Sequence, residues 1–258
     1  MDKTLIKSGP GAYSCPPGLN TLGFRWTCAA AAAIALCALA GKLLGSPLLA
    51  SGIPSSIPMA PSTACAFLLF AAALHPDLPF GGSRRLRISL LLPVFFLAIP
   101  PVWTFTAACL APGTRAASGL LPFGPWTQLW IMSPLTAGLF FLCGASAAAR
   151  LLRNREKTCL LSAWGGALTA ALSAVILLGY LYNVPLFYGG LIIPVAATTA
   201  ACFFLLSLSL LAEAGRGLWP WNLFEGESPR AWMMRSFVPL SVGILLFFTL
   251  VDSWLEIS

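Results

Sequence analysis

The chain is built from apolar segments of about 20 residues, separated by short segments that hold nearly all of its charge. Over the 258 residues, 58% are hydrophobic and only 9% are charged, whereas soluble domains carry about 25% charged residues. A helix of about 20 apolar residues crosses the hydrocarbon core of a bilayer and satisfies its own backbone hydrogen bonds there. The sequence therefore predicts an all-α membrane protein.

Seven apolar segments are long enough to predict transmembrane helices. They cover residues 25–44, 57–75, 88–110, 127–149, 159–182, 191–213 and 235–253. In this interpretation, residues 1–24 form an N-terminal tail, residues 25–253 form one transmembrane helical domain, and residues 254–258 form a short C-terminal tail.

The basic residues predict the orientation of these spans. Thirteen of the fifteen lie in the N-terminal segment or in the loops after the second, fourth and sixth spans. Basic loops stay in the cytoplasm, so the N-terminus is expected there and the C-terminal tail outside. The residues expected to anchor the cytoplasmic side at lipid head groups are Arg84, Arg85, Arg87, Arg150, Arg153, Arg230 and Arg235.

One stretch of the chain occurs twice. Residues 57–69 return 136 positions later as residues 193–205, with seven of thirteen positions identical. Each copy opens an apolar helix with prolines, namely Pro58 and Pro61 in one copy and Pro194 in the other. The pattern predicts a tandem four-span repeat, residues 25–149 and 159–253, whose second unit lacks its last span. Four spans per unit make the two units parallel.

The residues that usually hold metals or cofactors are sparse. His75 is the only histidine, and the cysteines form no CxxC pair and lie mostly in or beside apolar runs. We therefore expect no metal site, no cofactor and no disulfide framework. No predicted span has a charged residue at its centre, and hydroxyls such as that of Ser133 have no neighbouring base in the sequence. These two features also predict that the chain has no catalytic residues.

Paired hydroxyl residues mark the start of both copies of the repeat. Two interpretations of Ser62, Thr63, Thr198 and Thr199 stay open. Their hydroxyls either bond to helix carbonyls one turn back, or they line a pocket shared by the two related spans, covered by the loop that contains Asn183 and Tyr188. That loop carries no charge, so the second interpretation predicts an apolar or uncharged ligand.

Small residues are dense at two places, residues 29–33 and 144–149. Such residues let helices approach closely. They predict either packing within the chain or the contact surface of a homodimer.

Three short motifs resemble those in the membrane-embedded N-terminal region of bacterial sensor proteins that carry PAS, histidine kinase or diguanylate cyclase domains. They are Pro58-Met59-Ala60-Pro61-Ser62-Thr63-Ala64, where Ser62 replaces the usual Asn; Tyr188-Gly189-Gly190 before Ile193-Pro194; and Trp219-Pro220 followed by residues 226–231 and 235–239. The resemblance implies a sensory input module of the inner membrane that acts on a cytoplasmic signalling domain or partner protein.

The alternative class is a transporter of small solutes or lipids, which the parallel repeat favours. A lipid-modifying membrane enzyme is disfavoured, because the sequence offers neither an acid–base pair nor a metal-ligand set. The basic net charge of +7 follows from the loops and requires no nucleic acid partner.

The seven-span interpretation predicts the location of the C-terminal tail. A fusion of alkaline phosphatase after Ser258 should be active, and a green fluorescent protein fusion at the same point should stay dark. The reverse result would mean that one span has been miscounted.

Overall fold

The computed structural model describes residues 21–52, 57–75, 84–110, 132–152, 156–182, 194–214, 223 and 227–257, and these residues form helices and no strand. A helix lies in each of the seven predicted segments, and one further short helix follows the first. In chain order they are α1 (Thr21–Leu43), α2 (Pro47–Ser51), α3 (Pro61–Leu74), α4 (Arg84–Leu110), α5 (Pro134–Leu152), α6 (Glu156–Leu181), α7 (Ala197–Ala214) and α8 (Pro229–Ile257).

Four stretches of the described helices are long and apolar enough to cross a membrane. They are Gly23–Leu43, Arg85–Trp103, Pro134–Leu152 and Lys157–Leu181. Helix α3 and the part of α7 from Ala197 to Ala212 are apolar but shorter. By length and composition, the chain is a helical membrane protein.

Six of the helices form a closed ring. Helices α1, α3, α4, α5, α6 and α7 pack in that order, each against the next, and α7 returns to pack against α1. Helices α3, α5 and α7 also contact one another and so lie inside, whereas α1, α4 and α6 lie outside. The outer helices present large exposed side chains, including Trp26, Phe96 and Trp103, as expected of a lipid-facing surface.

The two ends of the ring differ in character. The outer helices begin at what we call the basic end, where Arg25, Arg85 and Lys157 lie. The inner helices begin at the opposite end, which we call the hydroxyl end because Thr63 and Thr199 lie in their first turns. Neighbouring inner and outer helices are therefore antiparallel, and the three inner helices are parallel to one another.

The contact between α1 and α7, which closes the ring, depends on small residues. Ala31, Ala35 and Ala38 are at most 2% exposed along one face of α1. The Thr27 hydroxyl forms a hydrogen bond with that of Ser209 on α7. The small residues of the first span therefore pack within the chain on this face, in line with the first of the two interpretations.

The second dense run of small residues is also used within the chain. A side-chain carbon at Gly144 would lie 2.7 Å from the ring of Phe95 on α4, and one at Gly165 of α6 would collide with the Ser146 hydroxyl of α5. These glycines let α5 approach both of its outer neighbours. Close approach raises the number of van der Waals contacts, which drive helix association in lipid.

Helix α2 turns the chain back at the hydroxyl end. Gly45 and Gly52 adopt φ angles of 68° and 75°, which favour glycine. A side chain at Gly41 would reach 2.6 Å from the backbone carbonyl carbon of Leu49, so α1 and α2 touch backbone to backbone. The Met59 N–H then donates to the Ala50 carbonyl at 3.1 Å and directs the chain into α3.

Helix α8 stands apart from the ring. Its contacts with the ring are sparse, and one of them is a hydrogen bond from the Tyr182 hydroxyl to the Leu245 carbonyl at 3.2 Å. Large apolar side chains such as Phe237 and Phe247 are exposed along it.

One cysteine departs from expectation. Cys159, at the start of α6, is disulfide-bonded. Cys28, Cys37, Cys65, Cys143 and Cys202 are free thiols. The expectation of no disulfide framework rested on cysteines that lie in or beside apolar runs, whereas Cys159 lies in the first turn of α6. Cytosolic thiols are normally reduced, so the fusion experiment above also tells which compartment this end faces.

Replacing Phe203 at the centre of the ring by Ala should lower the melting temperature in detergent by about 5–10 °C. Phe→Ala in soluble cores costs about 3–5 kcal/mol, an upper bound here because lipid also solvates the ring, and 1 kcal/mol corresponds to about 2–4 °C at this chain length. The matched control is Phe96→Ala, whose side chain is 74% exposed, and it should melt within about 2 °C of wild type. Equal losses in both variants would contradict the assignment of Phe203 to the core.

Candidate functional site

The three inner helices begin at equivalent points of a repeated sequence. Helices α3, α5 and α7 start at Pro61, Pro134 and Ala197, which are 73 and 63 residues apart. A phenylalanine follows six residues after each start, at positions 67, 140 and 203. The inner helices are therefore three copies of one element.

The copy in α5 is one that the sequence analysis missed. It reads Met132-Ser133-Pro134-Leu135-Thr136-Ala137-Gly138-Leu139-Phe140, and it shares Met, Pro, Thr, Ala and Phe with residues 59–67 at the same spacing. The signal that would have found it is the spaced pattern Met-x-Pro-x-Thr-Ala-x-x-Phe. The repeating unit is thus one outer and one inner helix, and the predicted four-span period contains two such units.

The three phenylalanines meet at the centre of the ring. The ring centroids of Phe67 and Phe140 are 4.8 Å apart, and Phe203 lies 4.7 Å from each of them. All three side chains are 0% exposed. Tilted and edge-to-face pairs at these distances are favourable aromatic geometries. The near-equal triangle defines a pseudo-threefold axis that aromatic side chains fill.

Equivalent positions form further buried layers along this axis. The layer on the basic side of the triangle is formed by Phe70, Cys143 and Leu206, and the next by Leu74, Ala147 and Leu210, all at most 3% exposed. The inner bundle is therefore packed without interruption from the triangle towards the basic end.

A layer of hydroxyls lies on the other side of the triangle. Four residues before each phenylalanine, one helical turn away on nearly the same face, stand Thr63, Thr136 and Thr199, which are 2–3% exposed. Beyond them, Met59, Met132 and Val195 cover the layer and are 1–3% exposed. The hydroxyl layer is thus enclosed between aromatic and aliphatic side chains.

The three segments that contain Met59, Met132 and Val195 are each held in place by a different contact. Helix α2 holds Met59 through its backbone N–H, as described above. The Tyr180 hydroxyl of α6 donates to the Val195 carbonyl at 2.7 Å. The segment before α5 is held by Ser133, whose hydroxyl oxygen lies 2.8 Å from that of Thr136 and accepts the Thr136 N–H at 3.1 Å.

The starts of α3 and α5 differ in their capping. Ser133 caps α5 with its side chain, whereas the residue at the equivalent place before α3 is Ala60, which offers no side-chain hydrogen bond. The first amide groups of a helix have no partner inside it. The start of α3 therefore has no side-chain cap like the one at the start of α5.

The predicted hydroxyl residues of the two recognised copies all lie at the hydroxyl end. Ser62 is 4% exposed, and Thr63 and Thr199 belong to the enclosed layer. The Thr198 hydroxyl oxygen is buried and has no hydrogen-bond partner in the described structure. A side-chain carbon at Gly52 would lie 2.9 Å from the Thr198 methyl group, so the end of α2 packs over this residue. The structure thus brings α3, α7 and the end of α2 together here.

Other predicted residues are distributed as follows. Pro61 is the first residue of α3, and Pro58 and Pro194 lie in the short non-helical segments before α3 and α7. Asn183 and Tyr188, expected to cover the pocket, and Arg153 lie outside the described residues.

Most of the expected anchoring arginines lie at helix ends. Arg84 begins α4, Arg85, Arg230 and Arg235 are exposed, and Arg87 is partly exposed. Arg150 differs, because it is only 8% exposed in the last turn of α5. Its side chain is enclosed by the helices.

No group of three or more metal-ligating side chains occurs among the described residues. His75, just after α3, is partly exposed. The hydroxyl layer offers hydrogen bonding by threonine side chains inside an apolar enclosure.

No protein-family model, curated protein or solved structure matches this chain.

The capping difference predicts opposite effects of two substitutions. Ser133→Ala removes the cap of α5 and should lower the melting temperature by about 2–4 °C, since a cap contributes about 1 kcal/mol. Ala60→Ser introduces the missing cap in α3 and should raise the melting temperature by up to a similar amount. Ser89→Ala, on the exposed face of α4, is the control and should change it by less than about 1 °C. A loss on Ala60→Ser would show that the start of α3 has no room for a cap.

Proposed function

We propose that the chain is a membrane-embedded sensory input module of a bacterial signal-transduction protein. In this proposal it lies in the inner membrane, crosses it seven times and keeps its N-terminus in the cytoplasm. It has no catalytic step or cofactor of its own, and it acts on a cytoplasmic signalling domain or partner protein. The likeness of its Pro-Met-Ala-Pro segment to sensor membrane regions supports this choice, and that segment opens an inner helix.

The observation that carries the proposal is the filled centre of the ring. Three phenylalanines at 4.7–4.8 Å occupy the pseudo-threefold axis, and buried layers continue from them towards the basic end. A solute cannot follow the axis without separating the inner helices. This packing favours a module that binds and rearranges over the alternative, a transporter of small solutes or lipids.

The proposed site for the cue is the enclosed layer formed by Thr63, Thr136 and Thr199. The hydroxyls of the layer would hydrogen-bond the cue, and the side chains around the layer are apolar. These features suit a small uncharged molecule with hydrogen-bonding groups, because a charged one would lose its hydration in an apolar enclosure. Entry would displace the cover of Met59, Met132 and Val195.

The proposed response is a change in the packing of the inner helices. Close-packed layers have discrete arrangements rather than a continuous range of them. A cue that binds one arrangement more tightly shifts the population towards it. Helix α7 both contributes to the hydroxyl layer and leads along the chain to α8, so its displacement would be passed to α8.

Partners follow from the same proposal. Apolar faces of the outer helices contact the lipid bilayer. In an alternative proposal, small residues that remain exposed on α1, such as Ala29 and Ala33, form the contact surface of a homodimer.

The test combines binding with transport on the full chain. Thermal shift in detergent against a panel of small uncharged metabolites should reveal compounds that stabilise the wild type by several degrees. The same compounds should have no effect on the Thr63→Val/Thr199→Val variant, because Val keeps the shape and removes the hydroxyl. Proteoliposomes loaded with those compounds should leak no faster than protein-free vesicles.

Two results would contradict the proposal. Equal stabilisation of wild type and variant would exclude the hydroxyl layer as the site. Protein-dependent release of a compound from the vesicles would favour the transporter.

A further inference from the structure

Helix α2 lies over the hydroxyl end of the ring and contacts two parts of the enclosure around the hydroxyl layer. Gly52 directly follows its last residue, and a side-chain carbon there would lie 2.9 Å from the Thr198 methyl group on α7. The Ala50 carbonyl accepts the Met59 N–H at 3.1 Å, so α2 also holds one of the three residues that cover the layer. A movement of α2 away from the ring would therefore uncover Thr198 and withdraw Met59 together.

The Thr198 hydroxyl is an unsatisfied group beneath α2. Its oxygen atom is buried and has no hydrogen-bond partner in the described part of the chain. Such a group costs free energy, because it has given up its hydrogen bonds to water and gained none in return. Thr198 directly precedes Thr199 of the hydroxyl layer. A molecule that enters beneath α2 with a hydrogen-bonding group would supply the missing partner.

Helix α2 is a short segment with a flexible joint on each side. It has five residues, with Gly45 two residues before it and Gly52 directly after it. Their φ angles are 68° and 75°, and a residue without a side chain can change such angles at little cost. Met132 is held by the adjacent Ser133, and Val195 by a tyrosine of α6. Only the cover at Met59 is therefore held by a hinged segment.

The outer surface of α2 and of the turn before it is apolar. Four leucines there are at least 47% exposed, namely Leu43, Leu44, Leu48 and Leu49. Lys42, which is also exposed, lies in the last turn of α1 beside them. A lysine at the end of a membrane helix extends its amine to the head groups and its stem along the acyl chains. The leucines at this level therefore face the bilayer.

We propose that α2 is a lid on the hydroxyl layer and that it opens towards the bilayer by rotation at Gly45 and Gly52. The ligand that it admits is an uncharged molecule dissolved in the lipid, with a hydroxyl or carbonyl group that bonds to Thr198 and to the threonines of the layer. Charged molecules are excluded, because they do not dissolve in hydrocarbon. The ligand class rests on the proposed function, whereas the lid and its direction of opening do not.

Thiol labelling of the full chain in proteoliposomes tests the lid. Thr198→Cys places a thiol beneath α2, and Leu48→Cys places the reference thiol on its exposed face. Reagents are present on both sides of the vesicles, and peptide mass spectrometry separates each position from the native cysteines. N-ethylmaleimide, which is uncharged and enters lipid, should modify both variants, with Thr198→Cys slower by about tenfold or more. A sulfonated maleimide, which does not enter lipid, should modify only Leu48→Cys.

Glycine substitutions in the Thr198→Cys variant test the movement. Gly41→Ala places a carbon 2.6 Å from the Leu49 carbonyl carbon. It should push α2 off α1 and speed N-ethylmaleimide labelling by at least about fivefold, because overpacking a tight contact is costly. Gly45→Ala should speed labelling by at least about threefold, since alanine disfavours the left-handed φ of the closed lid. The matched control is Gly138→Ala, at the same end of α5, where an added carbon meets no described atom within 4 Å; it should change the rate less than about twofold.

Three results would overturn the inference. Equal labelling of Thr198→Cys and Leu48→Cys would mean that α2 is not a cover. Unchanged labelling in both Gly41→Ala and Gly45→Ala would mean that it does not open, and Gly45→Ala adds no steric contact, so it serves even if Gly41→Ala does not fold. Labelling of Thr198→Cys by the sulfonated reagent at the rate of Leu48→Cys would mean entry from water.

The lid and the proposed function can fail separately. Compounds that stabilise the wild type in the thermal-shift panel, combined with a Thr198→Cys thiol that stays unlabelled, would contradict the lid and leave the hydroxyl layer as the site. Labelling as expected in a chain that no compound of the panel stabilises would support the lid and contradict the proposed cue.

Discussion

The contact of three phenylalanines on the axis of the ring is the interaction on which the rest of this structure depends. In lipid, an apolar side chain gains nothing by leaving water, so helices associate through close packing and a few polar contacts. Phe67, Phe140 and Phe203 supply a large, rigid contact at the point where three helices converge. Once they are in place, the threonine and aliphatic layers above and below are fixed by helical spacing, and the outer helices fill the grooves between the inner ones.

The sequence predicted the helices better than it predicted their arrangement. Apolar length located seven of the eight helices that the structure describes, and four of them contain a stretch long and apolar enough to cross a membrane. It missed α2, which has five residues and is held by the close approach of Gly41 to Leu49. The repeat of residues 57–69 was found and its third copy was not, because Leu135 and Leu139 replace the small residues of the other copies. The unequal intervals of 73 and 63 residues also conceal a regular period.

The hydroxyl residues illustrate which part of the site a single sequence can supply. Ser62, Thr63, Thr198 and Thr199 were visible as pairs at the start of two related spans. Thr136 has a leucine in place of the second hydroxyl, so the search for paired hydroxyls passed over it, although the spacing of Met132, Pro134 and Phe140 around it matches the first copy. Arg150 shows the opposite case. The count of basic residues in loops predicts the side of the membrane, but it cannot tell an arginine at the head groups from one enclosed by the ring.

The contact that closes the ring also has a consequence for how the protein is made. Thr27 and Ser209, which meet between α1 and α7, are 182 residues apart, whereas the other helices of the ring pack against neighbours that precede or follow them directly. During synthesis, α1 enters the bilayer with its alanine face against lipid, and it keeps that face open until α7 has been inserted. At a synthesis rate of about 5–20 residues per second, this interval lasts about 10–40 seconds. The newly inserted chain is therefore an open arc of helices, and it becomes a ring only when its first and sixth members meet.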